Sequence, residues 1–391
     1  MSSSEGIVAN RNAAPAITVG PAQQLAAPRP DAAARPSAHD NRLPFIHGLR
    51  GVAASAVTLF HLYEATPVSQ QVVATIPAIL DGMLRLGFLG VDLFFAISGF
   101  VISLTLYKRL ATLREWGRFF LRRQLRLDPP YWTAILISIV SAVVLNALRP
   151  STHAPVPSVT DLIIHLFYLQ DFFGIKAIAG IFWTLCLEIQ FYLFFGALML
   201  LLARSSWSGR AFGWLMLPLY VLSIACFWGL VPFPRGLFIA RWFEFFTGVV
   251  IFLYWRKQLS LLQVAAYLGA LLAVLVINPV ADSDTAQATA ATVLLIGLIF
   301  LLAVESGRVK TWFDVNVLRY LGDISYSLYL MHALVGIRLL KLVVHEDSSA
   351  PTAWLLYFVA LTMSVAASDI MFRLIERPSM RLSHRLKWRG T

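Results

Sequence analysis

Apolar stretches of about 20 residues recur along the chain, each closed by a short polar break. They fall near 44–63, 86–107, 131–148, 181–203, 212–230, 236–255, 259–278, 286–304, 321–343 and 352–375. A helix that crosses the hydrocarbon core of a bilayer needs about 20 such residues. The pattern therefore predicts an all-α polytopic membrane protein with about ten transmembrane helices. An eleventh stretch, 161–173, is short and is interrupted by Asp161, His165 and Asp171. Residues 1–42 are rich in Ala, Pro, Ser and Gln and contain no apolar run, so they read as a disordered tail rather than a signal peptide.

The cations decide between ten spans and eleven. Lys108, Arg109, Arg114, Arg118, Arg122, Arg123 and Arg126 crowd the connection after the second span. With ten spans, Arg204 and Arg210, then Arg256 and Lys257, then Arg308, Lys310 and Arg319 fall on that same side, as does a basic C-terminal tail over 381–391. The opposite loops are cation-poor, and those around Asp282 and Glu346 are acidic. Basic loops stay cytoplasmic, so both termini are expected in the cytoplasm and the protein in the inner (plasma) membrane. Stretch 161–173 then becomes a short interfacial or re-entrant helix. Residues 43–380 are expected to form one transmembrane domain, with no soluble domain appended.

Composition agrees. Apolar residues make up 58% of the 391 positions and charged residues 14%, with a mean hydropathy of +0.70. A soluble domain carries about 25% charged residues. The net charge of +11 is a topology signal, and with no basic soluble domain it does not point to nucleic acid. The two cysteines, Cys186 and Cys226, both sit in apolar runs, which excludes a disulfide framework and a four-thiolate zinc site. No metal site is expected. Internal repeats of the kind found in many transporters are absent.

Ionisable side chains at membrane depth are costly, and each is a candidate functional residue. Arg50 and His61 share the first span, eleven residues apart, which returns to nearly the same helix face about 16 Å further along the axis. Asp92 in the second span and Glu188 in the fourth both fall early in helices running the other way, so His61, Asp92 and Glu188 can share one depth. A histidine held by a carboxylate is a candidate general base; a neutral core histidine, with Arg50 reaching back to the interface, is the alternative. Arg122 and Arg126, four apart, project from one helical face and suit phosphate oxygens, or else anionic lipid head groups. Arg241 with Glu244, and Asp369 with Arg373, are spaced to pair with each other. Ser98 and Gly99 allow close helix packing. Glu376-Arg377-Pro378 reads as the end of the last helix.

Six motifs then fall in one order: Arg50-x10-His61; Gly90-Val91-Asp92-Leu93-Phe94-Phe95-Ala96-Ile97-Ser98-Gly99-Phe100; Arg122-Arg123-x-x-Arg126 followed by Pro129 and Tyr131; Trp183-Thr184-Leu185-x-x-Glu188-x-x-Phe191-Tyr192; Leu321-Gly322-x-x-Ser325-Tyr326-x-x-Tyr329-Leu330-x-His332; and Glu376-x-Pro378. In this the chain resembles the acyltransferase-3 family of integral-membrane acyltransferases over residues 42–380. The resemblance implies transfer of an acyl group from acyl-CoA, most often acetyl-CoA, to a hydroxyl of a sugar or related acceptor. It assigns the family's histidine to His61 and its arginine to Arg50; the shared depth makes Glu188 and Asp92 the candidate orienting acids for that histidine. It puts the CoA site on Arg122, Arg123 and Arg126, with Tyr131 beside them. Ser98, Trp183, Ser325, Tyr326 and His332 are further site candidates from the same motifs. Thr184 stands where the family usually has Ser. Many relatives carry an esterase-like C-terminal domain; its absence here implies direct transfer or a separate periplasmic or extracellular partner. His61 as base and His61 as a covalent acyl carrier both remain open. The reading from another class is a proton-coupled secondary transporter or flippase, which would move solute across sealed vesicles without acyl-CoA.

Overall fold

The computed structural model describes residues 43–64, 66–107, 112–148, 155–203, 208–234, 236–277 and 284–386. The expected tail over 1–42 lies outside the described residues, as do Lys108, Arg109, Arg204, Asp282, Lys387 and Arg389.

Among the described residues the chain is helical and without strands. Eleven elements organise it: α1 (Pro44–Glu64), α2 (Gly90–Leu106), α3 (Leu113–Leu148), α4 (Val159–Leu166), α5 (Trp183–Ala203), α6 (Gly209–Phe227), α7 (Trp242–Trp255), α8 (Leu261–Ile277), α9 (Asp284–Glu305), α10 (Ser325–Val343) and α11 (Ala350–Arg385). Nine helical segments of the described residues are long and apolar enough to cross a membrane. With α8, which has 17 residues, they make the ten expected crossings. The short α4 is the eleventh stretch. A capping box between Ser158 and Asp161 starts it, and it stops after eight residues, too few to span.

Two helices are longer than the apolar pattern predicts. α3 begins at Leu113, started by a capping box in which Thr112 and Glu115 bond each other's backbone N–H. It runs 36 residues through Pro129 and Pro130. The arginine-rich segment expected as a loop is thus the first half of a helix of about 54 Å. α11 likewise continues past Pro378 to Arg385. A π-helical turn over Phe372–Glu376 precedes that proline. The widened turn breaks the i→i−4 register that a proline would otherwise disrupt. A second such turn, His332–Ile337, sits inside α10.

Small residues set the packing. A Cβ on Gly99 of α2 would run into the Phe245 carbonyl, and one on Gly248 of α7 into the Ala96 carbonyl. The two helices therefore touch backbone to backbone. Around that crossing lies an aromatic core, with Phe245 stacked on both Phe95 and Phe191 at 4.4 and 4.3 Å. On α3, Trp132, Leu136, Val140, Val143 and Val144 are exposed together, the lipid-facing stripe of a membrane helix.

Candidate active site

α1 and α10 run side by side from the Pro44 end of the bundle to the Glu64 end. On α10, Tyr326, Tyr329 and His332 recur every three residues, a rise of about 4.5 Å per step on one face. On α1, Arg50 and His61 mark the two levels. The space between these helices, α2, α3 and α5 is a cavity lined by Arg50, Phe94, Ser98, Arg123, Arg126, Thr184, Glu188, Tyr192, Ser325, Tyr326 and Tyr329, among others.

Its lower part is cationic. Arg50, Arg123 and Arg126 form no ion pair within 4 Å among the described residues. The Nε–H groups of Arg123 and Arg126 are buried without a hydrogen-bond partner. The Arg123 guanidinium lies over the Tyr192 ring at 4.6 Å. Unmet guanidinium donors around a cavity are a receptor for oxyanions. Facing them are two carboxylates. Glu188 accepts a 2.6 Å bond from the Ser98 hydroxyl and another from Tyr192. Glu376 accepts from the Ser327 hydroxyl at 2.6 Å and its backbone N–H at 3.2 Å. One level higher, the Thr184 and Tyr329 hydroxyls meet at 2.7 Å.

Above Tyr329 stand two imidazoles. His332 is fully buried and its ring lies 5.8 Å from that of Tyr329. Its Nε2 is 3.3 Å from Nδ1 of His61. His61 Nδ1 also lies 3.0 Å from the Val57 carbonyl, which can only accept, so Nδ1 carries the proton. Nε2 of His61 is then the basic nitrogen, and it has no protein partner among the described residues.

Residues 43–373 match the family model described as an acyltransferase domain, Acyl_transf_3. The chain belongs to the acyltransferase-3 family. Among the relatives of this chain are the peptidoglycan O-acetyltransferase OatA of Listeria monocytogenes, 25% identical across 86% of this chain and 55% of its own length, and the acyltransferase MdmB of Streptomyces mycarofaciens, 27% identical across 87% of this chain and 92% of its own. The chain thus spans little more than half of the Listeria protein. No solved structure matches it.

Several site residues lie elsewhere than the sequence predicts. Asp92 is not beside His61. It faces α7, where Arg241 Nη1 reaches it at 3.3 Å and Glu244 at 2.7 Å, because position 92 lies on the α2 face that packs against α7. Glu188 points into the arginine cavity, so neither carboxylate orients the imidazole; a second histidine stands there instead. Arg122 turns away from the cavity towards His384 of α11, 3.4 Å from its Nδ1. Arg123 and Arg126, three apart, are the pair that line it. Tyr131 is wholly buried, stacked on Tyr168 at 4.4 Å and bonded to the His165 carbonyl, where it anchors α4 outside the cavity lining. Trp183 packs against Phe95 and lies 5.5 Å from the Arg241 guanidinium. Ser325 and Tyr326 do line the cavity, and bond the carbonyls of Gly322 and Leu127. The pairs at the start of α7 and within α11 form as spaced, Arg241–Glu244 and Arg373–Asp369 each at 2.7 Å.

Glu376, which the sequence marks as a helix end, is buried and, with Glu188, faces Arg50. The π-helical turn that carries it leaves no mark in an apolar pattern.

Proposed function

We propose that this chain is an acyl-CoA-dependent O-acyltransferase of the plasma (inner) membrane that acylates a hydroxyl of a sugar or related acceptor, with acetyl the expected group. The observation that carries this reading is the cavity whose arginine donors are unmet, with the His332–His61 pair standing just beyond Tyr329 of its lining. The about 16 Å rise from Arg50 to His61 suits a donor with phosphates at one end and a thioester at the other. Arg50, Arg123 and Arg126 would hold the phosphate oxygens. The crowding of Arg114, Arg118, Arg256, Lys257, Arg308 and Lys310 at the Pro44 end supports a cytoplasmic origin for that donor and cytoplasmic termini.

His61 Nε2 takes the proton from the acceptor hydroxyl as its oxygen attacks the acyl carbon. The C–S bond breaks, and the sulfur leaves as thiolate, which the imidazolium can protonate. The ester and free CoA result. The names of the Listeria and Streptomyces relatives support acyl transfer, and the former supports a cell-surface glycan as acceptor.

The test is His61→Ala in native membranes, reading release of free CoA from acetyl-CoA alongside CoA binding. Release should vanish while binding persists. Unchanged release would overturn the assignment of the base.

A further inference from the structure

We propose that His332 is the positioning residue of His61, standing where an acid stands in a catalytic triad. The inference rests on the acyltransferase reading above and deepens it.

The hydrogen bonds assign both tautomers. His332 Nδ1 lies 3.0 Å from the Leu328 carbonyl, an acceptor only, so Nδ1 is protonated and Nε2 carries a lone pair. That lone pair meets the His61 Nδ1–H, which is shared with the Val57 carbonyl. The arrangement is not symmetric. His332 is closed in, with no accessible surface and its one N–H committed to its own helix. His61 is only half-buried, and its second nitrogen is free to react. His332 thus reserves Nε2 of His61 as the unprotonated atom, the task of the orienting group in a base–orienter pair.

The fold holds the rings at this distance. His332 opens the π-helical turn of α10, and such turns gather at functional sites. Within it, Gly336 brings α10 against α1: a Cβ there would lie 2.5 Å from Leu62 Cδ2, next in chain to His61. The bond also changes strength during the reaction. When His61 takes up a proton its Nδ1–H becomes a cationic donor, and charge-assisted hydrogen bonds are the stronger kind. The stabilisation is therefore larger in the transition state than in the resting enzyme, the condition for an effect on kcat.

The experiment uses the full chain in native membranes supplemented with an envelope and soluble extract of the same cells as the source of acceptor, and reads free CoA released from acetyl-CoA per mole of protein. His332→Gln carries its amide near the place of the ring Nε2 and can still accept from His61. His332→Asn is too short to do so. His332→Asn should lower kcat roughly 10- to 100-fold with KM for acetyl-CoA unchanged, and His332→Gln should recover kcat to within about threefold of wild type. Equal losses in both variants would mark a merely structural residue and overturn the proposal, as would full activity in His332→Asn. His61→Ala, run in parallel, keeps the two ideas apart. If it retains activity the acyltransferase mechanism fails; if it is inactive while His332→Asn is not, only the role of His332 fails.

Discussion

Ser98 of α2 donates a 2.6 Å hydrogen bond to Oε1 of Glu188 on α5, the same oxygen that Tyr192 engages. This bond turns the carboxylate into a wall of the arginine cavity. It also keeps Glu188 away from His61, whose neighbour is His332 rather than an acid.

If Glu188 is ionised in that bond, removing the Ser98 hydroxyl should be expensive, and less so once the charge is gone. Ser98→Ala is expected to cost about 1.5–3 kcal/mol in the native chain and about 1 kcal/mol in a Glu188→Gln background. Thermal unfolding of the detergent-purified single and double variants gives this coupling directly. Identical costs in the two backgrounds would mean that the hydroxyl does not meet a charge.

The apolar pattern was enough to read the ten crossings and the short α4, because bilayer thickness forces one length on every span. Depth could also be read: the level of Arg50 below His61 follows from helix rise alone. Rotation about each helix axis could not. Asp92 and Ser98 lie on the same helix six residues apart, and which faces α7 and which the cavity depends on the Gly99 and Gly248 contact between two helices distant in sequence. Arg122 and Arg123 are adjacent, and only the packing of α11 decides that the second enters the cavity. The π-helical turns that present His332 and Glu376 arise from packing rather than from residue type. Pro378 is tolerated for a related reason, since the π-helical turn before it leaves the hydrogen-bond register locally open.

The split between neighbouring arginines makes a sharp forecast. Arg123→Ala and Arg126→Ala should each weaken CoA binding at least about tenfold, the loss of one charge-assisted contact. They should also flatten its dependence on salt. Arg122→Ala should change the Kd by less than about twofold, since that side chain meets His384. Titration calorimetry with purified protein can read all three. An effect of Arg122→Ala equal to the others would refute this division of the basic motif.

Arg241 serves two buried carboxylates, Asp92 and Glu244, so the group holds one more acid than base. Removing the cation strands both acids, whereas removing one acid relieves the excess. Arg241→Met is accordingly expected to destabilise by about 3–5 kcal/mol, and Asp92→Asn by far less, or to stabilise. Melting temperatures in one detergent rank the two. If Asp92→Asn proves the worse, the pairing drawn between these residues is wrong.

The contact between α2 and α7 should be the least tolerant place in the bundle. Gly248→Ala would drive a methyl group into the Ala96 carbonyl, and Gly99→Ala into that of Phe245. Backbone cannot yield as a flexible side chain can, so the helices must separate. Ser98 is next to Gly99, so separation would also displace its bond to Glu188 and open the cavity wall. Overpacking of this kind costs about 1–3 kcal/mol or more, and each variant should lose its monodisperse peak in size-exclusion chromatography together with CoA binding. Gly117 of α3 and Gly269 of α8 supply the control, because a Cβ at either meets nothing within 4 Å. Alanine there should be tolerated, or even stabilise by about 0.5–1 kcal/mol through the helix preference for alanine. Normal behaviour of Gly248→Ala beside these controls would show that the two helices do not meet backbone to backbone.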